Sequence, residues 1–220
     1  MRGDEGRYDV VDGNDPVRAA VVAERREQAE LLATLDREQW DAPTLCVGWR
    51  VREVVAHVTM PFRMSLPRTV AELVRSGGRF DRMADRCARR DAARMSPEQL
   101  VAVRRDTATH PWTPPGGGVA GALAHDVIHG LDITVGLGVD RRVPPERLAL
   151  VLTGMRPRNI AYFGVDLTGV RLRATDVDWS LGDGTPLTGL AQDLLLVVCG
   201  RRLPPGRLTG GAAARFTAGG

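Results

Sequence analysis

The sequence predicts an α+β protein in which an all-helical unit precedes a smaller α/β unit. Apolar residues recur at helical spacing in several segments up to about residue 138, whereas apolar and charged residues alternate over residues 169–180, as in a strand. Proline and glycine separate these segments. We therefore predict a flexible tail at residues 1–14, the helical unit at 15–142 and the α/β unit at 143–220.

Five helical segments are predicted in the first unit. They cover about residues 16–35, residue 51 to Pro61 or earlier, residues 66–95 with a break near Gly77-Gly78, residue 97 onward, and residues 119–138. Ser96-Pro97-Glu98-Gln99 is typical of a helix start, with serine as the N-cap, proline in the first position and glutamine in the third. The connections at 36–49 and 110–118 contain proline and glycine, which favour loops.

The second unit is predicted to begin with a helix at residues 145–152. Residues 169–180 then form a strand, since apolar residues alternate with polar ones there. Gly182-Asp183-Gly184 is typical of a hairpin turn after that strand. A short apolar helix is predicted at about residues 190–199, before a tail that is rich in glycine, alanine and threonine.

The composition limits the class of protein. With 43% hydrophobic and 26% charged residues, the chain is typical of a soluble globular protein. No apolar run approaches the length that spans a bilayer, and the first residues lack the apolar core of a signal peptide. We therefore expect a cytoplasmic protein without a membrane partner.

All 30 basic residues are arginine. The absence of lysine excludes a lysine Schiff base, ordinary pyridoxal-phosphate chemistry and a Walker A phosphate loop. This codon usage is typical of a GC-rich genome and favours an actinobacterial source. The net charge of +3 is modest, the arginines are interspersed with acidic residues, and only 5% of the residues are aromatic, so nucleic-acid binding is disfavoured.

The three cysteines are Cys46, Cys87 and Cys199, and they form no C-x-x-C pair. Neither a zinc ribbon nor a redox pair is therefore predicted. Cys199 lies in an apolar run, where a buried thiol is expected, and Cys46 lies in a loop-like segment nearer to solvent. A cysteine nucleophile is not favoured.

Two of the four histidines, His125 and His129, are four residues apart on a predicted helix. That spacing places both imidazoles on one face, one turn apart. His57 lies in another helix-like run, at residues 51–58. Three neutral imidazoles that meet between helices would bind a divalent metal ion and leave a coordination position open.

The spacing alone leaves a structural alternative open, in which these histidines are satisfied core or surface residues. A zinc protease is disfavoured, because Asp126 stands where H-E-x-x-H has glutamate. Asp132 lies three residues after His129 on nearly the same helix face. We predict that Asp132 accepts a hydrogen bond from that imidazole and fixes its tautomer; the alternative is a helix-end residue that faces solvent.

Three sequence blocks carry a resemblance to a known family. They are residues 40–58 (WDAPTLCVGWRVREVVAHV), residues 124–133 (AHDVIHGLDI), and residues 171–179 (RLRATDVDW) with Asp193-Leu194-Leu195-Leu196 and Gly200-Arg201. In this order the blocks resemble the mycothiol-dependent maleylpyruvate isomerases and their actinobacterial relatives. The second block is similar to that family's E-x-x-x-H-x-x-D-L helix, and the third looks like its small C-terminal domain.

The resemblance implies a DinB-like up-down four-helix bundle followed by a small α/β domain. It also implies an enzyme with mycothiol as thiol cosubstrate and with His57, His125 and His129 as the ligands of zinc or another divalent metal. The isomerases have glutamate where this chain has His125, and three-histidine sites are more typical of DinB-like thiol S-transferases. Arg50 replaces the family's helix-capping threonine, which weakens a cap but not the site.

A metal site with three neutral histidines lowers the pKa of a bound thiol and holds it as thiolate for attack on an electrophilic carbon. The main prediction is therefore a metal-dependent enzyme of the S-transferase type, which joins mycothiol to a small electrophile. One alternative is the cis–trans isomerisation of a maleylpyruvate-like substrate by reversible thiol addition. Another is a non-catalytic bundle that binds a metal or a small molecule. We expect a monomer or a homodimer.

Arg201 is the candidate substrate-binding residue of the second unit. It follows the predicted helix at residues 190–199 and belongs to the Gly200-Arg201 pair. We predict that it supplies a cation for an anionic substrate or for the thiol cosubstrate. The alternative is an exposed arginine that complements the helix dipole.

Overall fold

The computed structural model describes residues 15–155 and 157–219, and within them it contains eleven helices and one four-stranded sheet. Seven helices lie between residues 16 and 136, and the sheet lies after residue 169 among the remaining helices, so the predicted α+β class is confirmed. The tail predicted at residues 1–14 lies outside the described residues. In the described part of the chain, no helix is long and apolar enough to cross a membrane.

The elements have the following bounds. The helices are α1 (Pro16–Ala33), α2 (Arg37–Asp41), α3 (Val51–Arg63), α4 (Leu66–Arg75), α5 (Phe80–Ala92), α6 (Pro97–Asp106), α7 (Gly118–Gly136), α8 (Pro145–Thr153), α9 (Pro157–Phe163), α10 (Ala191–Val198) and α11 (Ala213–Phe216). The strands are β1 (Val170–Ala174), β2 (Ser180–Leu181), β3 (Thr185–Gly189) and β4 (Leu208–Thr209).

Four helices form the bundle. Helices α1 and α3 each pack against both α6 and α7, so the four surround a common interior, and α5 packs on the outside of α3. The predicted helix start at residue 96 is confirmed, since Ser96 and Gln99 form a capping box at the beginning of α6. The predicted break near Gly77-Gly78 is also confirmed, as it separates α4 from α5.

The second part of the chain packs against the histidine-bearing helix. Helix α10 contacts α7, α8, β1 and β3, and one hydrophobic core includes buried residues of both α7 and α10. Buried ion pairs tie the same region to α1, where Glu24 accepts hydrogen bonds from Arg141 and Arg147. The division at residue 142 into two domains stays a prediction.

The prediction that the His57 helix ends at or before Pro61 is wrong. Helix α3 continues to Arg63 with Pro61 inside it. The hydroxyl group of Thr59 donates to the carbonyl of Val55, and the guanidinium of Arg63 donates to the carbonyl of Ala56 at 2.8 Å. These side-chain donors bind carbonyls in the turn before the proline in addition to the backbone hydrogen bonds of the helix; the carbonyl that Pro61 leaves without a donor is that of His57.

The predictions for a single strand at residues 169–180 and for a hairpin after it are both wrong. Strand β1 ends at Ala174, and β2 begins again at Ser180 and pairs with β1 in antiparallel orientation. The sheet order is β2-β1-β3-β4, with β1 and β3 parallel, so β2 and β3 do not pair. The segment at 182–184 returns the chain to the start of β1, beside which β3 begins. The amide of Thr185 there donates to the carbonyl of Gly169 at 2.9 Å.

Four short elements were not predicted from the sequence: α2, α9, β4 and α11. Helix α2 lies in a segment predicted as a loop. It begins with a capping box formed by Asp36 and Gln39, a pattern that the sequence contains. Strand β4 has only two residues and exists through its pairing with β3, so no local pattern signals it.

Candidate metal centre

The three predicted histidines meet between α3 and α7. His57, on α3, and His125 and His129, on α7, each offer a ring nitrogen, and these nitrogens lie within 4.8 Å of one another. The Nε2 atoms of His57 and His125 are 3.3 Å apart. All three side chains are largely shielded from solvent, with 8% of His57 and 19% and 14% of the other two side chains exposed.

Helical periodicity explains this convergence. On α7, Val127 and Leu131 are fully buried in the core and fix the rotation of the helix, so the face with His125 and His129 turns toward α3. On α3, the fully buried Val55 packs into a second core on the side away from His57, and His57 faces α7. The i,i+4 spacing therefore yields the cluster that the sequence predicts.

Burial keeps the imidazoles of His57 and His125 neutral. Removal from water lowers the pKa of His57 well below its usual value, and the adjacent His129 and His125 lower it further. Burial also lowers the pKa of His125, despite the carboxylate of Asp126 nearby. Neutral imidazoles keep the lone pairs that a metal ion needs.

The carboxylate of Asp132 fixes the orientation of His129. Its Oδ2 atom lies 3.1 Å from Nδ1 of His129. A carboxylate only accepts, so Nδ1 of His129 donates and Nε2 carries the lone pair. Burial alone would raise the pKa of Asp132, but hydrogen bonds from Arg201 and His129 outweigh it and hold that pKa well below its usual range.

The structure places Arg201 against Asp132. Its Nε and Nη2 atoms each donate to one oxygen of that carboxylate at 2.9 Å, and Nη1 donates to the carbonyl of Cys199. A Schellman motif at the end of α10 sets this position, since the amides of Gly200 and Arg201 bond back to Val197 and Leu196. Gly200 has a φ of 77°, which glycine adopts without strain. The prediction that Arg201 binds substrate stays a prediction.

A second carboxylate stands behind His125. Oδ1 of Asp126 lies 3.6 Å from Nδ1 of His125, which is beyond hydrogen-bond distance. Two fully buried arginines hold this carboxylate, as Arg25 donates to Oδ2 at 2.8 Å and Arg104 pairs with Oδ1 at 2.9 Å. Each histidine of α7 therefore lies beside an aspartate whose position is fixed by ion pairs with arginine.

Cys46 joins the cluster from the loop before α3. Its sulfur lies 2.9 Å from Oδ2 of Asp132 and 3.7 Å from Nδ1 of His129. Gly136 permits this approach, because a Cβ there would lie 2.9 Å from the backbone of Thr44. Burial and the charge of Asp132 raise the pKa of Cys46, so the thiol stays protonated and donates to the carboxylate.

Two donor groups therefore share His129. One consists of the three histidines, and the other consists of Cys46, His129 and Asp132. In the second group the thiol is protonated and the carboxylate already binds Arg201. The positive charge of that guanidinium would repel a metal cation there. The three-histidine group has neutral donors and no such competitor. It also contains a buried Nδ1 of His57 without a partner among the described residues.

Sequence reasoning missed several residues that surround the histidines. Cys46 and Trp49 belong to the block at 40–58. The family resemblance of that block is the signal that could have identified them. Trp112 lies in a proline- and glycine-rich loop, and Arg25 lies on α1, where no local pattern marks a contact with α7. Their proximity depends on the packing of separate elements.

The fold and the site together define a helical bundle with a three-histidine cluster and a small C-terminal sheet. The family model for the mycothiol maleylpyruvate isomerase N-terminal domain matches residues 21–134, which include all three histidines and Asp132. The chain therefore belongs to this family of enzymes, as the sequence blocks predicted.

Relatives of the whole chain occur in mycobacteria. Two uncharacterized proteins of Mycobacterium tuberculosis, MT0041 of strain CDC 1551 / Oshkosh and Rv0036c of strain H37Rv, are each 26% identical to this chain. Each alignment covers 85% of this chain and 86% of the relative.

Solved structures share the fold. The crystal structure of the mycothiol-dependent maleylpyruvate isomerase superposes with a TM-score of 0.52 at 14% identity and covers 90% of this chain and 92% of its own. A mutant of that isomerase gives the same TM-score at 13% identity. At this level of identity the similarity establishes the fold alone, which confirms the predicted architecture.

Proposed function

We propose that this chain uses a divalent metal ion, zinc in the first instance, at His57, His125 and His129 to activate mycothiol for attack on an electrophilic carbon. One observation carries the proposal: three imidazole nitrogens from two helices converge within 4.8 Å in a chain of this family. Three protein nitrogens are the ligand number of catalytic zinc sites, which keep a fourth position for a substrate.

The metal would supply one function, which is to lower the pKa of the cosubstrate thiol so that thiolate exists at neutral pH. The chain's own residues prepare the site for it. Asp132 holds His129 in the tautomer with a free Nε2, and Arg201 and Cys46 hold Asp132 through hydrogen bonds. Burial keeps His57 and His125 unprotonated and ready to bind.

The family favours isomerisation over the S-transfer that the sequence analysis preferred. In an isomerisation, the thiolate sulfur adds to a conjugated double bond and the π electrons move to the neighbouring carbonyl. The remaining single bond rotates, the double bond re-forms, and the thiolate leaves with the electrons of the C–S bond. The thiol is regenerated, so it acts as a cosubstrate without net consumption.

S-transfer remains the second candidate, and a specific observation favours it. The donor set contains His125 where the isomerases have glutamate, so the centre carries one negative charge less. A less negative centre is a stronger electrophile and stabilises a thiolate more. In S-transfer the new C–S bond persists, and the leaving group departs with the electron pair of the bond that breaks.

Metal content and thiol dependence test this proposal together. We expect about one metal ion per chain in protein purified without chelator, and turnover of an electrophile panel that requires both metal and added mycothiol. His57→Ala should lose the metal and the activity, whereas His110→Ala, at the remaining histidine, should keep both. Full activity after verified metal removal, or without thiol, would instead support a non-catalytic bundle or an unrelated enzyme.

A further inference from the structure

Aromatic rings border the histidine cluster on two sides. The ring of Trp49 lies 5.1 Å from that of His57, and the ring of Trp112 lies 5.7 Å from that of His125 in an edge-to-face arrangement. Phe62 stands edge-to-face to Trp112 at 6.2 Å. We call Trp49, Phe62 and Trp112 the aromatic border. All three side chains are half-buried, so part of each ring remains open to a ligand.

Buried interactions hold the border in place. The guanidinium of Arg25 lies 4.9 Å from the centre of the Phe62 ring, within cation–π range. The same guanidinium donates to the carbonyl of His110 at 2.8 Å, which anchors the loop that carries Trp112. Arg25 is itself fixed by Asp126. The rings are therefore positioned before any ligand arrives, which reduces the entropic cost of binding.

Several charged side chains around the cluster and its border already have an opposite partner. Asp132 pairs with Arg201, Asp126 pairs with Arg25 and Arg104, and Asp85, which accepts from the indole of Trp49, pairs with Arg89. Arg25 and Arg104 are also fully buried. Arg18 differs, because it lines the same pocket as Trp112 and its buried Nε atom has no partner among the described residues.

We propose that the aromatic border binds the electrophile, and that this electrophile carries an aromatic or extended conjugated system. The inference rests on the proposed function, since it assigns the substrate class of the same centre. A planar π system gains from edge-to-face or offset contact with such rings.

The test uses the full-length metal-loaded protein, mycothiol and two uncharged electrophiles. 1-Chloro-2,4-dinitrobenzene is aromatic, and iodoacetamide is small and lacks a ring. In both reactions the thiol proton goes to solvent, sulfur forms a bond to carbon, and the halide leaves with the bonding electron pair. Both electrophiles require the activated thiol, but only the first has a ring for the border.

Trp112→Ala should lower kcat/KM for the aromatic electrophile about three- to tenfold, the range expected for one aromatic contact. Turnover of iodoacetamide, metal content and the KM for mycothiol should not change. Trp112→Phe should restore most of the loss, and Tyr162→Ala, at an exposed aromatic residue elsewhere, should behave as wild type. Wild type should also prefer the aromatic electrophile to maleate as a dianionic alternative.

Equal losses for both electrophiles, a raised KM for mycothiol alone, or a preference for maleate would each overturn the assignment. Absence of turnover with every electrophile would contradict the proposed function but not the border. Tryptophan fluorescence quenching by the dinitrophenyl thioether of mycothiol distinguishes failure of the proposed function from failure of the border assignment, because it reports binding without chemistry. If the dissociation constant of this thioether, measured by quenching, is the same for Trp112→Ala as for wild type, the role of the border is refuted.

Discussion

Arg201 and Asp132 form a two-pronged ion pair across the junction between the C-terminal part of the chain and the histidine helix. Nε and Nη2 of Arg201 meet the two oxygens of Asp132 at 2.9 Å each, and Oδ2 of the same carboxylate accepts from His129. The arginine therefore reaches the histidine cluster through one carboxylate. This arginine lies outside residues 21–134, which the N-terminal domain model matches.

Arg201→Ala should weaken metal binding. Without its guanidinium, Asp132 loses two donors and no longer holds His129 firmly, and the expected loss of metal affinity is about 10- to 100-fold. The metal affinity of Arg201→Lys should lie between those of wild type and Arg201→Ala, because lysine keeps the charge but not the paired donors. Competition with a chelator of known affinity measures the effect. Arg202→Ala is the matched exposed control, and an equal loss in that variant would refute the specific role of Arg201.

Asp126→Asn should destabilise the fold. Arg25 and Arg104 are fully buried and would lose the carboxylate that neutralises them, at an expected cost of about 3–5 kcal/mol. Asp140→Asn changes a carboxylate that is 82% exposed and should stay within about 0.5 kcal/mol of wild type. Urea unfolding at pH 7 gives both values. A cost below about 1 kcal/mol for Asp126→Asn would mean that the two arginines find other partners.

Cys46→Ser should keep metal binding and turnover, since a hydroxyl also donates to Asp132. Cys46→Val should retain the packing but remove the donor, so a several-fold weaker metal affinity is expected. Neither variant should abolish turnover, because the nucleophile is the external thiol. If Cys46→Ser were inactive while still loaded with metal, the cysteine would take part in the chemistry.

The free energy of unfolding should decrease at alkaline pH because of Cys199. Burial raises the pKa of this thiol to about 12, whereas an exposed thiol titrates near about 8.5. Between these values only the unfolded chain releases the proton, which favours unfolding by up to about 1.4 kcal/mol per pH unit. Below about pH 8 both states are protonated and the effect vanishes.

Cys199→Ala removes this titration. Its free energy of unfolding should differ from that of wild type by a constant amount below about pH 8 and should then fall less steeply up to about pH 11. Denaturant titrations at a series of pH values measure both curves. Parallel curves throughout would show that the thiol titrates alike in both states.

The sequence predicted the long elements and the histidine cluster, because both follow from local spacing. Helical periodicity on α7 suffices to place His125 and His129 on one face, and the block at 40–58 identifies His57 as their partner. The sequence did not predict the strand order, since β3 pairs with β1 in parallel instead of with β2, and this pairing depends on contacts between residues distant in sequence. The extension of α3 past Pro61 is accompanied by side-chain hydrogen bonds in the preceding turn, among them one from Arg63, that periodicity does not reveal.

The surroundings of the centre were predicted only in part. The contact between Asp132 and His129 spans three residues and follows from helix geometry. Cys46, Trp112 and Arg25 reach the centre from separate segments, and their positions require the packed fold. For Arg201, the end of α10 was predicted, but the pairing of its guanidinium with Asp132 was not.

Cobalt substitution tests the metal centre and thiol activation in one measurement. Protein reconstituted with Co²⁺ and titrated with mycothiol should bind one ion per chain and develop a thiolate-to-cobalt charge-transfer band that saturates at one thiol per metal. His57→Ala should lose the ion and the band, and His110→Ala should keep both. A wild-type chain that binds no cobalt, or that binds it without a thiolate band, would contradict the assignment of His57, His125 and His129 as a thiol-activating metal centre.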